Sequence, residues 1–249
     1  MSQTHRSFAA ARSTATGARE NNQDRSVFLH DGTTVLLGVA DGLGGHPRGE
    51  VAAQLFVDVC ETQFRRSTRP LESPEDFMLH CIGRAHHAIR RFGERQQPPI
   101  TPRTTAVMAV VQGDQARWAH VGDSRLYLYR DEQLLLQTRD HSQTQYTRQS
   151  ADEPPRARTS LTRCLGGLPR PPTTTCSTAL ALQPGDALLL CSDGLWSQTA
   201  EPQLAELFDG DPALLESRLQ RTVAQAAATA ASDNVTAVAL TWLGQPAQD

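Results

Sequence analysis

The chain has no lysine: all 24 of its Lys and Arg residues are arginine. That excludes a Walker-type phosphate loop, a kinase strand lysine and a Schiff-base lysine. No apolar run approaches the roughly 18 residues a membrane span needs. The N-terminal stretch "MSQTHRSFAAARSTATGARE" lacks a hydrophobic core, so no secretory signal is expected. The five cysteines form no Cys-x-x-Cys pair, which argues against a zinc site or a thiol redox motif. An odd number of cysteines fits a reducing, cytoplasmic compartment. The net charge of -3 gives no basic surface for nucleic acid or anionic lipid.

What is present is an ordinary globular composition, 39% hydrophobic and 20% charged, in 249 residues. That length supports one domain with a substantial core. No repeat or linker interrupts it, so residues 1–249 are expected to form a single domain. Strand-like runs recur at 26–29, 34–40, 105–112, 115–122, 125–130, 186–194 and 235–243, rich in β-branched and aromatic residues. Turn signals at "QGDQ" and "GDSR" predict antiparallel hairpins. Apolar residues at helical spacing predict helices over 48–66, 74–93 and 212–231. The pattern reads as α+β, with a mainly antiparallel sheet or two packed sheets. Residues 139–176 break it, being rich in Arg, Thr and Pro, and read as a flap-like surface excursion.

Five aspartates stand at the ends of these strands. Asp24 precedes "RSVFL", Asp41 follows "VLLGVA", Asp123 follows "RWAHVG", Asp193 follows "ALLLCS" and Asp233 precedes "NVTAVAL". One Asp beside a Gly is usually a turn. Five on strands that neighbour one another would crowd at one edge of the core, where like charges repel. Divalent cations are the natural compensation, and an all-oxygen set favours Mg²⁺ or Mn²⁺ over zinc. Two such ions about 4 Å apart activate a water for in-line attack on phosphorus. Arg19, in "RENNQD", has a fork whose geometry matches phosphate oxygens, though on its own it reads as an ordinary surface arginine.

Taken together, "RENNQD", "VADGLGGHPRGEVAA", "RTTAV", "VGDSRLYLY", "DHS", "LTRCLGG", "LLLCSDGLW" and "SDNVTAV" resemble, in order, the bacterial branch of the PP2C-type metal-dependent protein serine/threonine phosphatases. They span residues 19 to about 240. The resemblance implies a four-layer αββα sandwich with a metal site at one end. It implies hydrolysis of phosphoserine and phosphothreonine in proteins by a metal-bridging hydroxide, with two core Mn²⁺ or Mg²⁺ ions. Asp41 matches the aspartate that bridges them, and the Gly42 carbonyl a further ligand. Asp193 and Asp233 match carboxylates of the first metal, and Asp24 one that holds waters on the second. Asp123 with Asp193 matches a third, weaker site. Arg19 matches the phosphate-binding arginine. Gln23, Thr105, Asn234 and His46 look like supporting groups behind the ligands. Leu43 stands where eukaryotic members have a histidine proposed as the general acid. Gly44 and Gly45 are expected to turn the chain into the helix at 48. The resemblance also implies phosphoprotein substrates, a cognate Ser/Thr kinase, a monomer and, by analogy, type VI secretion regulators.

Two alternatives remain at this stage. Cys-x5-Arg occurs at Cys60–Arg66 and Cys164–Arg170. A cysteine phosphatase needs a low-pKa thiolate in a loop at a helix start, and Cys164 is the better placed. The other alternative is a catalytically weak, phosphoprotein-binding module. It predicts loss of one or more of the five aspartates, and a shortened flap with Arg148, Arg156 and Arg158 keeps it open.

Overall fold

The computed structural model describes residues 3–5, 7–147 and 156–244. The chain opens with strands β1 (Gln3–His5), β2 (Phe8–Ala15), β3 (Arg25–His30) and β4 (Thr34–Ala40). Helices α1 (Gly49–Arg66) and α2 (Pro74–Glu94) follow. Strands β5 (Ala106–Gln112), β6 (Gln115–Val121), β7 (Arg125–Arg130) and β8 (Gln133–Gln137) lead to β9 (Ser142–Thr147) and β10 (Arg156–Leu161). Short strands β11 (Thr175–Cys176) and β12 (Leu180–Ala181) precede β13 (Ala187–Cys191). The helical turns α3 (Asp193–Trp196) and α4 (Glu201–Ala205), helix α5 (Leu215–Ala227) and strand β14 (Val235–Trp242) complete it.

The strands form two antiparallel sheets. One has the order β1-β2-β14-β13-β7-β8, and the other β11-β6-β5-β4-β3 with β12 also on β6. Alternation along the central strands builds three apolar layers. In β4, Val35, Leu37 and Val39 face the opposite sheet, while Leu36 and Ala40 face α1 and α2. In β14, Val238, Leu240 and Trp242 face between the sheets, while Val235, Ala237 and Ala239 face α5. These strands are covered on both faces, which is why they read as continuous apolar runs rather than alternating ones. Each fully buried Val or Leu contributes about 1.5–3 kcal/mol. The expected αββα sandwich is present.

Helix α2 starts where the sequence places it, because Ser73 Oγ accepts from the Asp76 backbone N–H at 3.2 Å and Pro74 occupies the first turn. The third helix is shorter than expected. Residues Pro212–Leu214 form a 3-10 turn, α5 begins at Leu215, and it ends at Ala227.

One predicted hairpin does not form. The "QGDQ" turn joins β5 to β6 within a sheet, but the chain at "GDSR" crosses from one sheet to the other, since β6 and β7 belong to different sheets. Gly122 makes the crossing at φ 110°, where a Cβ would lie 2.7 Å from Thr105 Cγ2. The crossing carries Asp123 to the sandwich edge instead of leaving it in a surface turn. Strands β9 and β10 pair antiparallel within the expected excursion of 139–176, whose end, β11, instead joins the sheet by pairing with β6. Arg148 lies outside the described residues, and of Arg156 and Arg158 only the backbone is described.

Candidate active site

Strand β4 delivers Asp41 to the end of the sandwich, and the start of β5 fixes it there. The Thr105 backbone N–H donates to the Asp41 carbonyl at 2.9 Å, and Thr104 Oγ1 donates to the same oxygen at 2.8 Å. The Asp41 N–H donates back to Thr105 Oγ1 at 3.0 Å. Thr105 Oγ1 lies 2.6 Å from Ser124 Oγ, beside Asp123. The two threonines of "RTTAV" thus couple the ends of two sheets. Gly42 follows because nothing larger fits. A Cβ there would lie 2.4 Å from the Gly49 carbonyl carbon, at the start of α1. The left-handed turn into α1 is made by Arg48, at φ 62°. Gly44 and Gly45, as the sequence leads one to expect, sit at the centre of the preceding turn, which the His46 N–H closes by donating to the Leu43 carbonyl at 3.0 Å.

Asp193 opens the helical turn α3 directly after β13. Its Oδ1 is buried with no hydrogen-bond partner. Asp233 precedes β14, accepts from the Asn234 N–H at 2.8 Å, and pairs with Arg19 Nη2 at 2.8 Å. Asn234 organises the adjoining chain. Its Oδ1 accepts from the Gln23 N–H at 2.8 Å, and its Nδ2 donates to the carbonyls of Thr16 and Asn21. The Gln23 side chain reaches Glu50 Oε2 at 3.4 Å. Asp123 is held through its carbonyl, which accepts from Trp196 Nε1 at 3.0 Å. Asp24 is buried at the start of β3. Ser192 Oγ donates to its Oδ2 at 2.7 Å, and its Oδ1 has no partner.

Asp41, Asp123, Asp193 and Asp233 line one cleft of about 890 Å³, with Arg19, Gly42 and His46. Asp24 does not line it and lies behind the wall, yet its charge acts on Asp41. Electrostatics record the crowding. Burial, then the charges of Asp24, Asp193 and Asp123, push Asp41 well above the usual carboxylate range. Burial, then Asp233, raises Asp193. Asp123 is pushed up to about 7 by burial and by Asp193 and Asp140. Asp24 also reaches about 7, burial outweighing the hydrogen bond from Ser192.

This donor set fits hard divalent cations. It consists of carboxylates, two of them with a buried oxygen left unpartnered, whose pKa values are raised by burial first and by neighbouring carboxylates second. Among the described residues, no three His, Cys, Asp or Glu side chains close into a preformed cage. The four cleft carboxylates share one volume and would be drawn together by the cations themselves.

The thiol alternative does not survive. Cys60 is fully buried inside α1, and burial raises its thiol well above the ordinary value. Cys164 lines the cleft, but no helix follows it, and burial raises its thiol too despite the nearby Arg103.

Several residues at the site lie inside the quoted motifs, yet the sequence alone assigns them no role. Arg125 grips Asp140 with two bonds of 2.8 and 2.9 Å and lies 3.6 Å over the Trp196 ring. His141 accepts from the Gly122 N–H at 3.2 Å and stacks on His120 at 4.5 Å, fixing the base of the flap to the turn that bears Asp123. Asp140 and His141 belong to the "DHS" triplet. Arg103 lines the cleft beside His46 and Cys164.

Comparison with known proteins agrees with this fold. The profile of the family described as Protein phosphatase 2C matches residues 14–243. The chain is 29% identical over 228 residues to the serine/threonine phosphatase stp of Listeria monocytogenes, covering 88% of this chain and 89% of that one. The catalytic domain of the serine/threonine protein phosphatase PstP, solved with two manganese ions, superposes with a TM-score of 0.73 at 27% identity, covering 95% of this chain and 99% of that one. PppA of Pseudomonas aeruginosa, described as a key regulatory component of the type VI secretion system, superposes at 0.71 with 26% identity, covering 95% and 98%.

Proposed function

The chain belongs to the protein phosphatase 2C family, and from that premise we propose that it hydrolyses phosphoserine and phosphothreonine in proteins with two Mn²⁺ or Mg²⁺ ions. It is a serine/threonine protein phosphatase of the bacterial type. The observation that supports the mechanistic reading best is the convergence of Asp41, Asp123, Asp193 and Asp233, from separate strand ends, on a cleft that also holds an arginine.

In this reading Asp41, Asp193, Asp233 and the Gly42 carbonyl hold the core cations, and Asp24 acts on one of them from behind the wall. Asp123 with Asp193 offers a weaker third site. When bound, the cations supply an activated water and offset the charge of the phosphoryl group. The chain's own residues do the rest. Thr104 and Thr105 hold the Asp41 backbone so that its carboxylate cannot drift. Arg19, half exposed at the rim, presents its fork to the phosphate. Its pairing with Asp233 keeps the guanidinium in the cleft until a substrate arrives. His46 is poorly suited as the general acid, because burial and the charge of Arg103 lower its pKa. With Leu43 unable to serve, solvent protonates the leaving alkoxide.

A single catalytic domain, a monomeric state, a cytoplasmic location and a cognate Ser/Thr kinase belong to the same proposal. No described helix is long and apolar enough to cross a membrane. A link to type VI secretion rests on similarity to PppA alone. The reading of a non-catalytic module is disfavoured, because all five aspartates are present. Turnover of a phosphothreonine peptide decides the matter. Activity with Mn²⁺ that EDTA abolishes and fresh Mn²⁺ restores is expected. No turnover with Mn²⁺ demonstrably bound would leave only the binding module.

A further inference from the structure

We propose that Arg103 forms a second anion subsite in the cleft, one that takes a negatively charged group flanking the phosphorylated residue of the substrate. The proposal rests on the phosphatase reading, since it assumes that the phosphate to be hydrolysed sits at Arg19 and the carboxylates.

Arg103 lines the same cleft as Arg19, beside His46 and Cys164. Its backbone is locked: the carbonyl accepts from the Leu43 N–H at 3.0 Å, and the next residue bridges Gly42 and Leu165. The guanidinium lies against Gly167. A Cβ on Gly167 would stand 3.2 Å from Arg103 Nε and 3.4 Å from Cζ, so the bare glycine makes room for it. Cys164 Sγ lies 3.2 Å from the same point. The Nε is shielded from solvent and has no hydrogen-bond partner.

What Arg103 lacks is a counterion. Two other partly buried arginines hold carboxylates with two bonds each, Arg125 on Asp140 and Arg130 on Asp186. Among the described residues no carboxylate lies within ion-pair distance of Arg103. A guanidinium held half out of water without a counterion favours an incoming anion with planar or trigonal oxygens. Arg19 is already engaged by Asp233. The groups that sense Arg103 are His46 and Cys164, with Gly167 against its guanidinium, whereas none of the cleft aspartates pairs with it, so its ligand is a flanking group of the peptide. Two sources share the required chemistry, the carboxylate of an Asp or Glu and the phosphate of a second phosphoresidue.

The test is kcat/KM for the Mn²⁺-loaded wild type and Arg103→Met on three kinds of phosphothreonine peptide. One has neutral flanks, one has a glutamate moved through positions on either side, and one has a second phosphothreonine. Turnover of p-nitrophenyl phosphate reports the chemistry without any flank. The wild type is expected to prefer an anionic flank by about tenfold, as one charge-assisted hydrogen-bonded contact in a wet cleft provides. Arg103→Met brings that ratio to about one. Arg103→Glu shifts the preference toward arginine-flanked peptides. A preference for glutamate and second phosphate alike assigns a carboxylate-competent subsite, and one for the diphosphopeptide alone assigns a second phosphate. A wild-type ratio near one overturns the proposal. So does an Arg103→Met variant that loses every peptide and p-nitrophenyl phosphate in equal proportion. If the wild type turns over none of them, the phosphatase reading falls and the subsite with it, whereas intact turnover without preference sinks the subsite alone.

Discussion

Replacing Asp24 by Asn is predicted to stabilise the cation-free protein at alkaline pH and to leave it unchanged near pH 4. Asp24 is 3% exposed, with one oxygen bonded to Ser192 and the other unpartnered. Its pKa rises from an ordinary 3.8 to about 7 on folding, chiefly by burial. Below 3.8 both states hold the proton, and the group costs nothing. Between the two values the folded state keeps a proton that the unfolded state releases, so stability falls as pH rises. Above about 7 the loss is complete. At about 1.4 kcal/mol per pH unit it reaches about 4 kcal/mol as an upper bound, with relaxation of the buried site bringing it toward about 2. Asn keeps an oxygen acceptor for Ser192 Oγ and removes the charge. Urea unfolding in EDTA should show the variant more stable than wild type by about 2–4 kcal/mol at about pH 8 and equal to it at about pH 4. Saturating Mn²⁺ should erase that advantage, because the cation compensates the wild-type carboxylate. If Asp24→Asn destabilises the cation-free protein equally at both pH values, the carboxylate serves packing and hydrogen bonding, and the charge-crowding argument fails.

Gly42→Ala should cost about 3 kcal/mol or more and lower the melting temperature sharply, because its Cβ would meet Gly49 backbone at 2.4 Å and neither strand end nor helix start can give; an unchanged melting temperature would show that α1 yields freely. Arg19→Ala should reduce kcat/KM for phosphopeptides by about ten- to a hundredfold while leaving Mn²⁺ affinity undiminished, since its exposed pairing with Asp233 contributes little; a loss of Mn²⁺ binding by titration calorimetry would instead make it part of the metal site.

The central strands were legible because both faces of each are covered, so β4, β13 and β14 stand out as apolar runs with aspartates at their ends. Strand β2, "FAAARSTA", was not. Its alanines have little strand propensity, and it is a strand because it pairs with β14 from Phe8↔Trp242 to Ala15↔Val235. Strand β8 was missed for the opposite reason: its residues are mostly exposed, so no buried face imposes a pattern. The "GDSR" turn looked like any hairpin, and only the requirement that Asp123 reach the sandwich edge distinguishes it. The five aspartates were visible because carboxylates interrupt hydrophobic runs. Arg103 was not, because its setting depends on Cys164 and Gly167, far along the chain, and on the absence of a carboxylate that no local motif records.

Anomalous scattering from crystals of the protein grown with Mn²⁺ tests the account most directly. Two manganese peaks are predicted, bridged by Asp41 and flanked by Asp193, Asp233 and the Gly42 carbonyl, and both should vanish in Asp41→Asn while the fold persists. Manganese bound elsewhere, or undiminished at this end of the sandwich in Asp41→Asn, would contradict it.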